Sequence, residues 1–372
     1  VVETGLGRRV CLLCVLVFGC AITGLGYEIC WAEFILGPVV PSNTARGGGI
    51  LAPIVDSISR TLGSSPKHKP EKAGQYLHLV GAHANLITAA MFLTGMAANP
   101  LISKAAFDIF EIQFDWFTWA KGGIVPGLIG LAGLPLLINY ISMPTIDSIQ
   151  PIREKIQEDI QSLGPWTRQE IITACTLGVM LILWSTKPFH GWGTTTVAFL
   201  GLVIILLTRT LTWDQLVKNH KAWDALIWLG GLLTLATGLK DLGFIGWFGN
   251  LIGNGLTGIS PIMLLIALTL IYFYSMYFFS MLTAHIVALV GTIFLVVSGV
   301  GLNPFLVVGV MAYFSNLCGC LTNYSTGPVI IYFGNGYVQP LAWFRIGFIV
   351  SIYHVVVWLG IGSIWWKMIG WW

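Results

Sequence analysis

The chain is poor in charged residues. Only 9% of its 372 residues are Asp, Glu, Lys or Arg, whereas a soluble globular domain carries roughly 25%. A soluble fold of this length could not hide the 56% of residues that are hydrophobic, so lipid must solvate much of the surface. The mean hydropathy of +0.80 agrees. The formal net charge of +3 is too small to indicate nucleic-acid binding.

Signatures of enzyme chemistry are missing as well. The sequence contains no H-E-x-x-H, no G-x-S-x-G and no His/Cys metal cluster, so we predict neither an enzyme nor a metal or cofactor site. A membrane enzyme and a channel remain as remote alternatives. All seven cysteines lie in apolar surroundings without metal-ligand spacing, and we expect each to be a buried hydrophobe. They are Cys11, Cys14, Cys20, Cys30, Cys175, Cys318 and Cys320.

Long apolar segments dominate the chain. A membrane-spanning helix needs about 20 mostly apolar residues, and the period-2 alternation of a β-barrel is absent. We therefore predict an all-α integral membrane protein with eight to ten crossings, and the 16 Trp and 11 Tyr suit its two interfaces. The candidate spans are residues 10–27, 77–98, 122–143, 169–187, 192–210, 223–240, 259–280, 285–302, 304–321 and 343–366.

Basic residues cluster in three loops, at residues 60–72, 153–168 and 218–221. Two predicted crossings separate each neighbouring pair, so all three loops are placed on the cytoplasmic side. Residues 150–163 carry isoleucines at helical spacing with charges opposite. They predict an amphipathic helix on the membrane surface, with a solvated loop helix as the alternative.

A polar interruption at residues 38–53 (PVVPSNTARGGGILAP) divides an apolar stretch. Broken helices at membrane depth are tolerated only inside protein or around a watery cavity, and transporters build binding sites from them. Ser42, Asn43 and Thr44 would supply polar groups there, and the three following glycines allow close backbone approach. We predict a re-entrant hairpin. The alternative is a surface loop between two helices.

Similar interruptions recur along the chain. One is Gly95 to Pro100, and two more lie at residues 279–287 and 321–337. Thr44-Ala45-Arg46 in the first half resembles Thr283-Ala284-His285 in the second half. The bend at Gly95 likewise corresponds to residues 325–328. Paired interruptions in the same order predict an inverted-repeat transporter, with the binding site at the breaks.

Ionisable residues at the breaks form the next group of candidates. Arg46 and His285 each follow the Thr of a break by two residues. An ionisable group at membrane depth is a functional candidate, although snorkelling or helix capping are alternatives. We expect the acidic residues near the membrane to be ion-paired or interfacial. They are Glu28, Glu33, Asp108, Glu111 and Asp115.

Three segments resemble one transporter family. Residues 42–54 (SNTARGGGILAPI) are similar to the Ser-Asn-Thr hairpin of the divalent anion/sodium symporters, and residues 223–239 and 315–338 resemble the same branch. That branch is the 2-oxoglutarate/malate translocators, with chlamydial members the most similar. The resemblance covers essentially the whole chain. It implies that further N-terminal scaffold helices precede residue 1.

The resemblance implies two inverted repeats, each with a re-entrant hairpin and a discontinuous helix, in an elevator-type homodimer. A dicarboxylate would lie between the hairpin tips, in contact with membrane-embedded protein. The expected cation site comprises Ser42, Asn43 and the Gly95 carbonyl. The substrate-site candidates are Ser42, Asn43, Thr44, Arg46, Thr283, His285, Ser325, Thr326, Gly327 and Pro328.

The second tip departs from the family pattern. It reads Met281-Leu282-Thr283, where sodium symporters carry Ser-Asn-Thr. Met and Leu side chains cannot supply the oxygen ligands that sodium needs, although backbone carbonyls could. We hypothesise that Arg46 and His285 stand in for sodium, so that unpaired charge keeps the empty carrier from crossing. That predicts exchange of dicarboxylates such as malate and 2-oxoglutarate. A sodium-coupled dicarboxylate symporter is the alternative.

The predicted inverted repeats divide the chain into four units. We predict the rest of the first repeat in residues 1–120, scaffold helices in 121–222, the second repeat in 223–340 and a terminal helix in 341–372. The expected location is a bacterial cell membrane, with the plastid inner envelope as the alternative.

Overall fold

A computed structural model describes residues 3–14, 21–146, 150–218 and 260–372, together with isolated positions between 223 and 243. The predicted span 223–240 and the family-like segment 223–239 lie mostly outside the described residues, as do His220 and Lys221. Every named element within the described ranges is a helix, so the all-α prediction is confirmed.

The helices are numbered in chain order. In the first part of the chain they are α1 (Leu6–Cys14), α2 (Ile22–Leu36), a π-helix (Thr44–Leu51), α3 (Ala52–Thr61), α4 (Gly74–Met91), α5 (Asn99–Phe110) and α6 (Trp116–Ser142). The middle part holds α7 (Gln150–Ser162), α8 (Arg168–Ser185), α9 (Lys187–His190), α10 (Thr194–Leu207) and α11 (Trp213–Val217). The last part holds α12 (Pro261–Ser275), α13 (Leu282–Ser298), α14 (Pro304–Leu317), α15 (Gly327–Gly334), α16 (Pro340–Val355), a second π-helix (Val356–Ile361) and α17 (Gly362–Met368).

Four helical stretches of the described chain are long and apolar enough to cross a membrane. They are Trp116–Ser142, Pro261–Phe278, Pro304–Leu321 and Pro340–Met368. Two shorter apolar helices are α10 and α13. Residues 15–20 of the predicted span at 10–27 lie outside the described residues, and Ala21, with extended backbone, precedes α2.

All four predicted interruptions are present. The chain turns between α2 and the π-helix at residues 37–44, here the first tip, and between α12 and α13 at residues 276–283, the second tip. Between α4 and α5 the backbone is extended at Phe92 and Met96, and this segment is the first break. Between α14 and α15 it is extended at Thr322 and Thr326, and residues 318–327 are the second break.

Helix α4 forms the centre of the molecule. Every residue from Tyr76 to Met91 is buried, and α2, α3, α6, α14 and α15 pack around it. Polar side chains on a helix that is enclosed on all sides favour partners within the protein. Asn85 and Thr88 find theirs on the hairpin that packs on α4.

Helix α7 confirms the prediction of a helix at residues 150–163, and protein covers part of its apolar face. Ile152 and Ile156 are buried, each with 2% of its surface exposed, and α7 packs against α1 and α3. Whether the helix also lies at the membrane surface stays a prediction. Protein covers the isoleucines because α3, the outgoing arm of the first hairpin, runs beside them.

Two ion pairs connect helices that are distant in sequence. Arg9 of α1 donates to Glu170 Oε1 at 2.8 Å and to the carbonyl oxygens of Leu163, Gly164 and Pro165, so it holds the turn between α7 and α8. Lys187 Nζ lies 2.8 Å from Asp115 Oδ2 at the start of α6. Burial raises the pKa of Asp115, but hydrogen bonds from Lys187 and Thr118 outweigh this and leave the pKa below its usual value.

Most of the cysteine prediction is confirmed. Cys11, Cys14, Cys30, Cys318 and Cys320 are buried and unpaired. Cys175 is exposed, so the prediction is wrong there, because its face of α8 points away from the rest of the described protein. Cys20 lies outside the described residues.

Candidate functional site

The first tip is held by its own polar side chains. Asn43 Oδ1 accepts a hydrogen bond from Thr44 N at 3.0 Å, and Ser42 Oγ accepts one from Ala45 N at 3.2 Å. These bonds satisfy backbone N–H groups at the start of the π-helix, as side-chain caps do at helix N-termini. The Asn43 amide then points its Nδ2 outward from the tip and donates to Thr326 Oγ1 at 3.0 Å.

Both tips meet the second break. The first tip reaches it through the Asn43–Thr326 bond. It also packs there so closely that a Cβ atom built on Gly327 would lie 2.2 Å from Thr44 Oγ1. The second tip reaches it through Leu282 N, which donates to Ser325 O at 2.8 Å. Residues 325–327 therefore lie between the two hairpins.

Thr283 and Pro328 complete this meeting point. Thr283 is half-buried at the start of α13, directly after Leu282. Pro328 faces the first hairpin, because a Cβ atom built on Gly47 would lie 3.0 Å from Pro328 Cβ. The predicted substrate-site residues thus come together from both halves of the chain. Their contact with a substrate stays a prediction.

Arg46 is wholly buried in a cage of oxygen atoms. Its Nε lies 2.6 Å from Glu33 Oε2, and both side chains have 0% of their surface exposed. Nη1 donates to Val40 O at 3.0 Å and to Gly95 O at 3.1 Å. Nη2 donates to Thr88 Oγ1 at 3.2 Å. The guanidinium therefore occupies the oxygen-lined position to which the Gly95 carbonyl points.

Glu33 corrects one part of the sequence-based hypothesis. We expected Arg46 to carry unpaired charge, but the carboxylate of Glu33 compensates it. Glu33 also accepts hydrogen bonds from Asn85 Nδ2 at 3.0 Å and from Thr88 Oγ1 at 3.1 Å. A buried ion pair needs such additional bonds, because Coulomb attraction alone seldom offsets the loss of hydration. The pair as a whole adds no net charge to the first tip.

His285 lies in a comparable position at the second hairpin. It is buried, and its Nε2 lies 2.8 Å from Ser275 Oγ. Its ring packs on Tyr272 with a centroid distance of 4.1 Å, and on Phe279 at 4.8 Å. Tyr272 OH in turn lies 2.7 Å from Ser315 Oγ on α14.

The two hairpins share one pattern of contacts. Tyr272 precedes His285 by 13 residues, as Glu33 precedes Arg46. In each hairpin the earlier residue lies on the incoming helix and the later one on the outgoing helix, and the pair joins the two arms. A hydroxyl on the following discontinuous helix, Thr88 or Ser315, then holds the earlier residue.

Several residues of this site were not identified from the sequence. Glu33 was expected to be ion-paired, which the structure confirms, but its partner was not predicted. Asn85, Thr88, Tyr272 and Ser315 were not singled out. The available signal was the presence of Asn85 and Thr88 in a mostly apolar helix, where polar side chains favour buried partners. A further buried bond, from Asn316 Nδ2 to Asn99 Oδ1 at 2.9 Å, joins α14 to α5.

Comparison with known proteins relates the chain to membrane transporters. A family model described as the sodium:sulfate symporter transmembrane region matches residues 1–372. The chain is 41% identical over 372 residues to the putative malate transporter YflS of Bacillus subtilis (strain 168), covering 100% of this chain and 78% of that protein.

Two further relatives extend the comparison. Dicarboxylate transporter 1, chloroplastic, of Arabidopsis thaliana is 38% identical over 374 residues, covering 100% of this chain and 67% of the relative. The L-tartrate/succinate antiporter of Escherichia coli (strain K12) is 32% identical over 369 residues, covering 98% of this chain and 75% of the relative.

Proposed function

The chain belongs to the sodium:sulfate symporter transmembrane family, and from that premise we propose that it exchanges one dicarboxylate for another across a membrane. It is a multi-pass integral membrane protein, and its family and relatives are transporters. The single observation that carries the proposal is the meeting of both hairpin tips at the second break, through Asn43–Thr326 and Leu282–Ser325.

The proposed substrates are small dicarboxylates such as malate and 2-oxoglutarate. Relatives carry names that specify malate, dicarboxylate, and tartrate with succinate. At the tips the available groups are hydroxyls, an amide and the N-terminal ends of α13 and α15, which favour negative charge. Ser42, Asn43, Thr44 and Thr283 are the side chains we assign to the substrate, with residues 325–328 contributing backbone.

We propose that the two halves of the chain are inverted repeats. Support comes from the paired tips and breaks and from the equal spacing of Glu33–Arg46 and Tyr272–His285.

We also propose that the first hairpin moves with the second repeat, as an elevator mechanism requires. Tyr337 OH donates to Asp56 Oδ1 at 2.7 Å, and Asn335 Nδ2 lies 3.1 Å from His78 Nε2, so each half is tied to the other.

Arg46 supports exchange over sodium coupling. Its guanidinium fills the oxygen cage that includes the Gly95 carbonyl, where a sodium ion would otherwise find ligands. A tethered cation cannot dissociate at the end of a cycle, so it cannot couple transport to a sodium gradient. We propose the same stand-in role for His285 at the second tip.

The compensation of Arg46 by Glu33 changes the reason for obligatory exchange. The empty carrier is not held back by unpaired charge at Arg46. Instead, the half-buried hydroxyls of Ser42, Thr44 and Thr283 would be left to water when the substrate leaves. Moving hydrated polar groups through the membrane is costly, so we expect the empty carrier to cross far more slowly than the loaded one.

Trans-stimulation in proteoliposomes tests the proposed function. Purified protein is reconstituted into vesicles with or without internal malate, and uptake of external radiolabelled malate is measured. Exchange predicts rapid, saturable uptake only into loaded vesicles. A channel would give comparable uptake into both kinds of vesicle, without saturation, and that result would contradict the proposal.

Three further assignments remain proposals. They are a homodimer, a bacterial cell membrane as the location, and the division into units 1–120, 121–222, 223–340 and 341–372. This chain covers 67–78% of the length of the three relatives compared above.

A further inference from the structure

A cleft of about 290 Å³ lies between the start of α8 and the end of α10, away from both hairpin tips. Arg168 and Arg209 flank it, and Ile172 and Leu207 form its apolar wall. Arg168 is the first residue of α8, and Arg209 follows the last residue of α10 by two positions. Two arginines from different helices therefore line one cleft.

Neither arginine is neutralised by the described protein. No acidic side chain of the described ranges forms an ion pair with Arg168 or Arg209. The nearest acid in sequence, Glu170, is buried and turned toward Arg9, at 2.8 Å. The cleft therefore keeps two positive charges beside an apolar surface.

The backbone conformation at Arg209 guides the choice of a test variant. Arg209 has φ +56°, in the left-handed region at the end of α10. Glycine is the usual residue at such a helix C-terminus, because other residues pay a steric cost there. A change of Arg209 to glycine therefore removes the guanidinium without straining the backbone.

Apolar side chains surround the cleft. Exposed apolar side chains continue from it along both helices, including Ile171 (48% exposed), Val203 (47%) and Leu207 (79%). The cleft adjoins the basic loop at residues 153–168, which the positive-inside rule places on the cytoplasmic side. Anionic phospholipids concentrate in that leaflet, and basic clefts between membrane helices bind their headgroups.

We propose that this cleft binds the headgroup phosphate of an anionic phospholipid, with Arg168 and Arg209 as its ligands. The planar guanidinium groups match phosphate oxygens in bidentate geometry. The acyl chains would lie along Ile172, Leu207 and the exposed face of the two helices. This inference is independent of the proposed exchange activity, because the cleft shares no residue with the tips or breaks.

Native mass spectrometry of the purified chain tests the site. Dioctanoyl phosphatidylglycerol and dioctanoyl phosphatidylcholine are titrated separately into wild-type protein and into Arg168→Gln, Arg209→Gly and the double variant. Arg209→Gly removes the guanidinium and leaves the residue best suited to the backbone conformation, so we expect it to fold normally. Lys218→Gln is the control, because Lys218 is exposed and already paired with Asp214 at 2.7 Å.

The expected result is preferential binding of phosphatidylglycerol, weakened about fivefold by each single change and roughly 25-fold by both. Lys218→Gln should bind as the wild type does. Equal affinity for the two lipids, or an unchanged affinity in the double variant, would overturn the proposal. Displacement of the bound lipid by millimolar inorganic phosphate would also overturn it, because it would identify a free-phosphate site rather than a lipid site.

Discussion

Arg46→Gln is expected to abolish dicarboxylate exchange and to lower the free energy of unfolding by about 3–5 kcal/mol. Arg46 is fully buried, and its removal would leave the Glu33 carboxylate without a countercharge in the protein interior. The oxygen atoms of Val40 and Gly95 would also lose their donor. Exchange is measured as counterflow in proteoliposomes, and stability as thermal unfolding in detergent.

A double variant separates the two effects. Glu33→Gln with Arg46→Gln removes both charges, so no uncompensated carboxylate remains, and most of the lost stability should return. Exchange should stay absent, because the cation at the first tip is still missing. Recovery of exchange in the double variant would mean that Arg46 serves only to neutralise Glu33, and the stand-in role would then be wrong.

Gly327→Ala is expected to reduce exchange by roughly 100-fold, the scale of a 1 Å misplacement in a working site. The added Cβ atom would lie 2.2 Å from Thr44 Oγ1 and 2.6 Å from Thr44 Cγ2. Both are too short for a normal contact, so the first tip must move away from the second break. Initial rates of counterflow at saturating malate give the comparison.

Gly334→Ala is the matched control, because Gly334 ends the same helix and an added Cβ atom there meets nothing within 4 Å. It should exchange as the wild type does. Equal rates for Gly327→Ala and the wild type would show that the first tip and the second break need not approach each other, contrary to the proposed site.

The positions of the helix breaks were predictable, because polar residues inside an apolar segment mark where a membrane helix is interrupted. The polar residues at 42–44 and the Asn-Pro at 99–100 interrupt apolar runs, and the structure places a tip and a break there. The same holds for Met281 and for residues 322–326. Unpaired backbone is costly in hydrocarbon, so such interruptions survive only where the fold requires them.

The pairing of side chains was not predictable to the same degree. Glu33 and Arg46 lie 13 residues apart, a spacing that corresponds to no regular helical contact, and they meet only because the chain reverses at the first tip. Thr88 and Ser315 are polar residues in apolar helices, and sequence alone does not identify their partners. Likewise, the isoleucines of α7 follow a membrane-surface pattern, but α1 and α3 cover them.

The most direct test of the built-in cation is malate counterflow in loaded proteoliposomes with sodium on both sides, compared with the same assay in which choline replaces sodium. Because the guanidinium of Arg46 already fills the oxygen cage at Gly95, we predict the same initial rate under both conditions. A rate that falls to background without sodium and rises with sodium concentration would contradict the exchange mechanism.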